Sequence, residues 1–124
     1  MDNQRLTLVR EFLVLDTLQD LAGSPETLLS MLGTILESMT EDLAQLRQHI
    51  ASQDIQAVGL KLHALKGYIP LMSQAGLAER LVALEALARE PAHLAQELWA
   101  PYQIKALLAD LDTLLHELKV AAQG

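Results

Sequence analysis

His63, Lys66 and Gly67 lie near the middle of the chain with residue types and a spacing that suit chemistry. Their i, i+3, i+4 spacing would place all three on one side of a helix. An imidazole nitrogen without a proton is a nucleophile, and an ammonium group beside it is suited to binding phosphoryl oxygens. Glycine in a helix interior costs up to ~1 kcal/mol relative to alanine. Gly67 would offset that cost by leaving the approach to His63 open.

A simpler interpretation of the same residues stays open. His63 and Lys66 are then ordinary surface side chains, and Gly67 helps a helix to end before Pro70. The position of His63 on its helix bears on the choice. With ~100° between successive residues, it falls ~120° from the centre of the apolar seam, at the edge of the exposed face. Gln56 and Leu60 fall beside it, and an exposed Leu60 would suit a docking surface. The seam consists of Ile55, Val58, Leu62, Leu65 and Ile69.

The next predicted helix carries Glu85 and Arg89, an i, i+4 pair beside an apolar stripe. His63 lies about nine residues before the connection between the helices, and Glu85 lies about twelve residues after it. In an antiparallel hairpin, their positions along the helix axes would therefore differ by no more than roughly one helical turn. Glu85 is therefore expected to accept a hydrogen bond from one ring nitrogen of His63, which would fix the tautomer and make the other nitrogen more nucleophilic. The alternative is that Glu85 and Arg89 form only a solvated ion pair.

Helix-breaking residues divide the chain into the elements that must position this cluster. Gly23-Ser24-Pro25 ends one segment and starts a long helix that is predicted to run to Ile50. Before it, a helical or broken-helical stripe is expected. This stripe consists of Leu6, Val9, Leu13, Leu18 and Leu21.

The remaining helices follow from similar signals. Ser52 is expected to cap the third helix, which Pro70 interrupts, and Ser73 or Gln74 to open the fourth, which stops before Pro91. The last helix is predicted from Pro101 to Val120. Because the connections are short, consecutive helices should pack antiparallel. The predicted fold class is all-α, an up-and-down antiparallel four-helix bundle with an extra N-terminal helical element.

Composition agrees with this fold and excludes several functions. The 124 residues suit a single domain, 1–124, and 51% of them are apolar, with leucine and alanine far more frequent than β-branched residues. The chain has no cysteine, which excludes thiolate chemistry and disulfides. A net charge of −7 argues against nucleic-acid binding, and no apolar run is long enough to insert into a membrane. With no signal-peptide pattern at the N-terminus, we expect a cytoplasmic protein.

The segment His63-Ala64-Leu65-Lys66-Gly67, followed by Leu77, Leu84 and Glu85, resembles the histidine-containing phosphotransfer (Hpt) domains of two-component phosphorelays. The family pattern is His-x-Leu-Lys-Gly, then Leu fourteen residues after the His, then Leu-Glu or Leu-Gln at twenty-one and twenty-two. The chain matches every one of these offsets. The resemblance covers about residues 14–118.

The resemblance implies a four-helix bundle on which an exposed His63 accepts a phosphoryl group at Nε2 from a receiver-domain phospho-aspartate and passes it to another receiver. Lys66 would stabilise the phosphoryl charge, Glu85 would orient the ring and Gly67 would leave room. Arg89 matches a position that is basic in some members, and with Gln56 and Leu60 it is expected to contact the partner.

The resemblance also implies what the domain takes from its partners. Those partners would be response-regulator receiver domains, and one such receiver could be part of a hybrid sensor histidine kinase. The domain would have no kinase activity, metal site or cofactor of its own, because the receiver supplies Mg²⁺.

The chain departs from the family pattern directly after Gly67. Small residues are usual there, whereas this chain has Tyr68-Ile69-Pro70. Tyr68 should project away from the nucleophile, and the departure is expected to alter the edge of the docking surface. One alternative function is therefore a degenerate Hpt-like adaptor that binds a receiver or another protein without chemistry. Another is an unrelated helical adaptor or dimerisation bundle.

Overall fold

Four long helices dominate the computed structural model, which describes residues 10–123. The α-helices are α1 (Asp16–Ala22), α2 (Pro25–Ala51), α3 (Ile55–Lys66), α4 (Ala75–Ala88), α5 (Ala92–Ala95) and α6 (Ile104–Ala122), and 3₁₀ turns cover Ile69–Leu71 and Gln96–Trp99. Contacts between the long helices form a closed cycle in which α2 packs on α3, α3 on α4, α4 on α6 and α6 on α2. The predicted all-α bundle is confirmed, with α1 as the additional N-terminal helix packed on α2.

The break between α1 and α2 has the predicted residues in the predicted roles. Gly23 ends α1 with a φ of 78°, a left-handed conformation that glycine adopts without steric cost. Ser24 caps α2, its side chain accepting a hydrogen bond from the Thr27 amide at 3.2 Å, and Pro25 occupies the first helical turn. These signals fix where the longest helix of the bundle begins.

The cap of α3 differs from the prediction. Asp54, not Ser52, is the N-cap, and its carboxylate accepts a hydrogen bond from the Ala57 amide at 3.1 Å. Ser52 instead ends α2, where its hydroxyl donates to the Gln48 carbonyl oxygen. Gln53, with a φ of 54°, separates the two helices. The prediction failed because both residues are good capping types and only the backbone reversal at Gln53 decides between them.

The later helix boundaries show one agreement and one further difference. Gln74, one of the two predicted residues, caps α4 by accepting a hydrogen bond from the Leu77 amide. In contrast, α6 begins at Ile104 and not at Pro101. Tyr102 has a φ of 68°, which a right-handed helix cannot contain, so Pro101 belongs to the preceding turn.

The N-terminal strap, residues 10–14, is not helical, which corrects the expectation for Leu13. Leu13 forms an isolated antiparallel bridge with Ser73, and the Val14 amide donates to the Met72 carbonyl oxygen at 2.8 Å. The strap therefore ties the start of the bundle to the connection between α3 and α4. Leu6 and Val9, the other residues of the predicted stripe before Leu13, lie outside the described residues.

The core lies between the four long helices and consists mostly of leucine. Every long helix contributes fully buried side chains from one of its faces. Burial of a single face explains why the apolar residues along each helix are spaced three and four apart. The largest include Leu32, Met39, Leu43, Leu46, Leu62, Leu65, Leu77 and Leu81. In residues 10–123, no helix has the length and apolarity needed to cross a membrane.

Candidate functional site

His63 lies on α3, one turn before the helix ends at Lys66, and its side chain is 58% exposed. Its Nδ1 atom lies 2.8 Å from Oε2 of Glu85 on α4. An ionised carboxylate only accepts hydrogen bonds, so the ring hydrogen belongs on Nδ1 and the lone pair on Nε2. The structure thus brings together the two residues that helix counting predicted to meet, and it leaves the ring accessible.

Glu85 is the only charged residue buried in the part of the chain that the structure describes, with 3% of its side chain exposed. Besides His63, it contacts Nζ of Lys66 through Oε1 at 2.6 Å and Nη2 of Arg89 through Oε2 at 2.5 Å. Burial alone would raise the pKa of Glu85. The effect of burial is outweighed by hydrogen bonds from Lys66 and His63 and by the positive charges of Arg89 and Lys66. The pKa of Glu85 therefore lies below its ordinary value of 4.5. Glu85 is therefore an anion held inside the bundle by groups that reach the surface.

Arg89 reaches closer to His63 than the sequence suggested. Its Nη2 atom lies 3.1 Å from Nδ1 of His63 and shares Oε2 of Glu85 with it. Because the carboxylate is buried, the alternative of a solvated Glu85–Arg89 pair is wrong. The guanidinium side chain is nevertheless 63% exposed, so it remains accessible to other groups.

Lys66 and Gly67 complete the cluster on the exposed side of α3. The Lys66 side chain is 35% exposed although its Nζ atom binds Glu85. Gly67 is the C-cap of α3 with a φ of −69°, which any residue adopts, so backbone conformation does not require glycine here. A Cβ atom added at Gly67 would instead lie 3.1 Å from the Ala64 carbonyl oxygen, so the missing side chain avoids a close contact with the backbone of α3.

A shallow groove of about 450 Å³ lies beside this cluster, between α3 and the region from α4 to α5. Gln56, Leu60 and Arg89, the three residues predicted to contact a partner, all line it. Leu60 is 68% exposed and gives the groove an apolar edge. Further lining residues are Ile55, Gly59, Ala88, Glu90, Ala92 and Ala95.

Comparison with protein families agrees with this arrangement. A family model described as the Hpt domain matches residues 30–119, which is most of the chain. The chain belongs to the Hpt domain family. Hpt domains are histidine phosphotransfer modules of phosphorelays that interact with receiver domains, and they carry phosphoryl groups rather than act as kinases. No curated protein and no solved structure matches this Hpt domain significantly.

Tyr68, where this Hpt domain departs from the family pattern, points away from the His63 side of α3. Its hydroxyl donates to Oδ2 of Asp42 on α2 at 2.8 Å, and Oδ1 of Asp42 accepts from Nζ of Lys61 at 3.1 Å. Burial, reinforced by the hydrogen bond and charge of Asp42, raises the pKa of Tyr68 well above its ordinary value. The bulky residue thus anchors the end of α3 to α2 and leaves the nucleophile uncovered.

One close contact in the Hpt domain was not predicted from the sequence. A Cβ atom added to Gly59 would lie 3.1 Å from the Cβ atom of Ala88, so α3 and α4 approach closely at this point. A lone glycine within a predicted helix, between Val58 and Leu60, is the only sequence signal of such a contact. Among residues 10–123, no three His, Asp or Glu side chains cluster in a way that could hold a metal ion.

Proposed function

We propose that His63 accepts a phosphoryl group on Nε2 from the phospho-aspartate of a receiver domain and passes it to another receiver. The observation that supports this most is the 2.8 Å contact between Nδ1 of His63 and Oε2 of Glu85. It pairs a fixed hydrogen on one ring nitrogen with a lone pair on the other, and the ring is exposed. A nucleophile oriented by a neighbouring acceptor is the usual arrangement in covalent group transfer.

The transfer balances without moving a proton. The P–O bond of the aspartyl phosphate breaks with its electron pair staying on the aspartate, while the Nε2 lone pair forms the new N–P bond. The Nδ1 hydrogen stays on the ring and remains bonded to Glu85. The positive charge that develops on the imidazole therefore faces a buried carboxylate, which stabilises it. In the onward step, the N–P bond breaks and its electron pair returns to Nε2.

Lys66 and Arg89 supply positive charge for the phosphoryl oxygens. An ammonium group has three hydrogens, so Nζ of Lys66 can keep its contact with Glu85 and still donate to a phosphoryl oxygen. Arg89, bound to the same carboxylate and largely exposed, can do the same. In this proposal Arg89 has a second role at the groove, where it contacts the receiver together with Gln56 and Leu60.

The remaining requirements are access and the partner's own chemistry. Gly67 leaves space for the phosphoryl group and for the receiver surface that delivers it. The receiver contributes Mg²⁺ and its acidic pocket, while this domain contributes position and charge. The domain is accordingly a phosphocarrier without kinase activity of its own.

Incubation with a phosphorylated receiver tests the proposal. The chain should acquire a label that is labile in acid and stable in base, as expected for phosphohistidine, and His63→Gln should abolish it. His93→Gln is the matched control, because His93 is also an exposed histidine on the surface. Labelling that persists in His63→Gln would reject the site. A stable receiver complex without labelling of the wild-type chain would instead favour the binding-only adaptor.

A further inference from the structure

Gly59 and Ala88 form the tightest approach between α3 and α4 that a glycine makes in the described part of the chain. A Cβ atom on Gly59 would lie 3.1 Å from the Ala88 Cβ atom, closer than side chains normally pack. The contact lies one turn from His63 along α3 and three residues from Glu85 along α4, so it belongs to the same helix–helix seam as the His63–Glu85 hydrogen bond.

The glycine at position 59 is not explained by backbone conformation. In the described residues, Gly23 is the glycine that has a positive φ, whereas Gly59 lies inside α3 with helical geometry. Alanine is more favourable than glycine at such a position and is abundant in this chain. Among the glycines with a close neighbour, position 59 is distinguished because an added Cβ atom would meet a side chain of a different helix.

The distance between two packed helices is set by the side chains at their contact. A β-carbon at position 59 would require the Ala88 Cβ atom to give way by a few tenths of an ångström, at a point one turn from the site. Because that atom is bonded directly to the backbone of α4, the shift has to involve the helix itself. The hydrogen bond between Nδ1 of His63 and Oε2 of Glu85 spans the same gap and has an optimal length of 2.8 Å. A shift of α4 at this point would therefore strain this bond or change the direction from which Glu85 approaches the ring.

We propose that Gly59 is a positioning residue for His63, because its missing side chain lets α3 and α4 approach to the distance at which Glu85 orients the imidazole. Gly59 does not touch the reacting atoms and acts through the spacing of the helices. The inference builds on the proposed function, since it assigns Gly59 to the alignment of the phosphoryl acceptor. It does not require the groove that Gly59 also lines to bind anything.

The test is a pair of substitutions of increasing size, Gly59→Ala and Gly59→Val, with a rescue. The first readout is the ¹⁵N NMR signature of the His63 ring together with the Nδ1 proton resonance, both measured on the unphosphorylated protein. In the wild-type chain they should report a hydrogen-bonded Nδ1–H. In Gly59→Ala the Nδ1 proton should shift upfield, and in Gly59→Val the ring should become a mixture of tautomers.

The second readout is the rate of transfer from a phosphorylated receiver. We expect a loss of about threefold for Gly59→Ala and about tenfold or more for Gly59→Val, since small misplacements of reacting groups are costly. Ala88→Gly removes the other carbon of the contact. It should restore both the ring signature and the rate when combined with Gly59→Ala, because the double variant only moves the glycine of this contact from α3 to α4.

Gly33→Ala is the matched control, because nothing lies within 4 Å of a Cβ atom added at that helical position. It should leave the ring signature and the transfer rate unchanged. Wild-type ring signals in both Gly59 variants would overturn the inference, as would a failure of Ala88→Gly to rescue Gly59→Ala. The ring signature does not depend on transfer, so a protein that never accepts phosphate would refute the proposed function alone.

Discussion

Oε2 of Glu85 accepts a hydrogen bond from Nδ1 of His63 across the gap between two helices, at 2.8 Å. The two partners have opposite environments, since the carboxylate is 3% exposed and the ring 58% exposed. The orientation of a solvent-facing nucleophile is therefore set from inside the bundle. Every step of the proposed transfer depends on this relationship.

Replacing Glu85 tests the orientation of the ring directly. Glu85→Ala should slow phosphoryl transfer by about 10- to 100-fold, because the group that fixes the tautomer is lost. Glu85→Gln should retain more activity, since its amide oxygen can still accept from Nδ1. Transfer rates and ¹⁵N spectra of the ring measure both effects. Glu79→Ala, an exposed change on the same helix, is the control. Equal rates for the wild type and Glu85→Ala would show that the carboxylate is not needed for orientation.

Acidification should weaken the fold through the same carboxylate. The pKa of Glu85 is below its ordinary value in the folded chain, so the unfolded chain binds the proton more readily. Its contribution to the free energy of unfolding is thus fully present above about pH 4.5 and is lost as the pH falls through the lower folded value. Chemical denaturation of the wild type and Glu85→Gln at several pH values measures this. The difference in unfolding free energy between them should shrink in acid. A constant difference would contradict the prediction.

Lys66 should matter more for the phosphorylated state than for the fold. Lys66→Ala leaves Arg89 bound to Glu85, so the buried charge stays paired and the bundle should remain folded. The variant should accept phosphate several-fold more slowly or lose it sooner, because an ammonium group stabilises phosphoryl oxygens. Kinetics of labelling and of label decay distinguish the two outcomes, with Lys119→Ala on α6 as a control. Wild-type behaviour in both measurements would remove Lys66 from the proposed mechanism.

The register of the α3–α4 hairpin could be predicted from the sequence for a simple physical reason. The rise per residue in a helix is constant, and Pro70 marks where the first helix must end, so counting from the turn brings His63 level with Glu85. Counting residues gives only the position of a side chain along the helix axis and its approximate direction around that axis. It could not reveal that Glu85 is buried or that Arg89 reaches Nδ1 of His63, because both depend on how closely the helices pack.

The strap shows a different limit of sequence reasoning. The leucines before Gly23 fit a helical stripe, yet Leu13 forms a bridge with Ser73. The strap is held by Glu117, whose partners lie more than 100 residues away along the chain. No local spacing encodes a contact of that kind.

Gly67→Leu tests access to the nucleophile. The φ of −69° at this position is compatible with leucine, but the new Cβ atom would lie 3.1 Å from the Ala64 carbonyl oxygen, so the free energy of unfolding should fall by about 1–3 kcal/mol. Transfer from a receiver should fall on the order of tenfold, because the new side chain lies one turn from His63. Gly33→Leu, at a position with open space around it, should leave transfer intact. Unimpaired transfer by Gly67→Leu would discard the steric role of this glycine.

Glu117 should stabilise the strap through three backbone hydrogen bonds. Its carboxylate accepts from the amides of Glu11, Phe12 and Leu13 at 2.6, 3.0 and 3.0 Å. Glu117→Ala leaves those donors without their acceptor and should lower the free energy of unfolding by about 1–3 kcal/mol.

Hydrogen exchange monitored by NMR locates the effect. In Glu117→Ala, the amides of residues 11–13 should exchange faster, while those in the middle of α2 keep their protection. Glu117→Gln should lie between this variant and the wild type, since its amide oxygen still accepts. Lys119→Ala, exposed on the same helix, controls for the loss of a side chain from α6. Unchanged exchange in the strap of Glu117→Ala would mean that the bridge at Leu13 and Ser73 suffices to hold it.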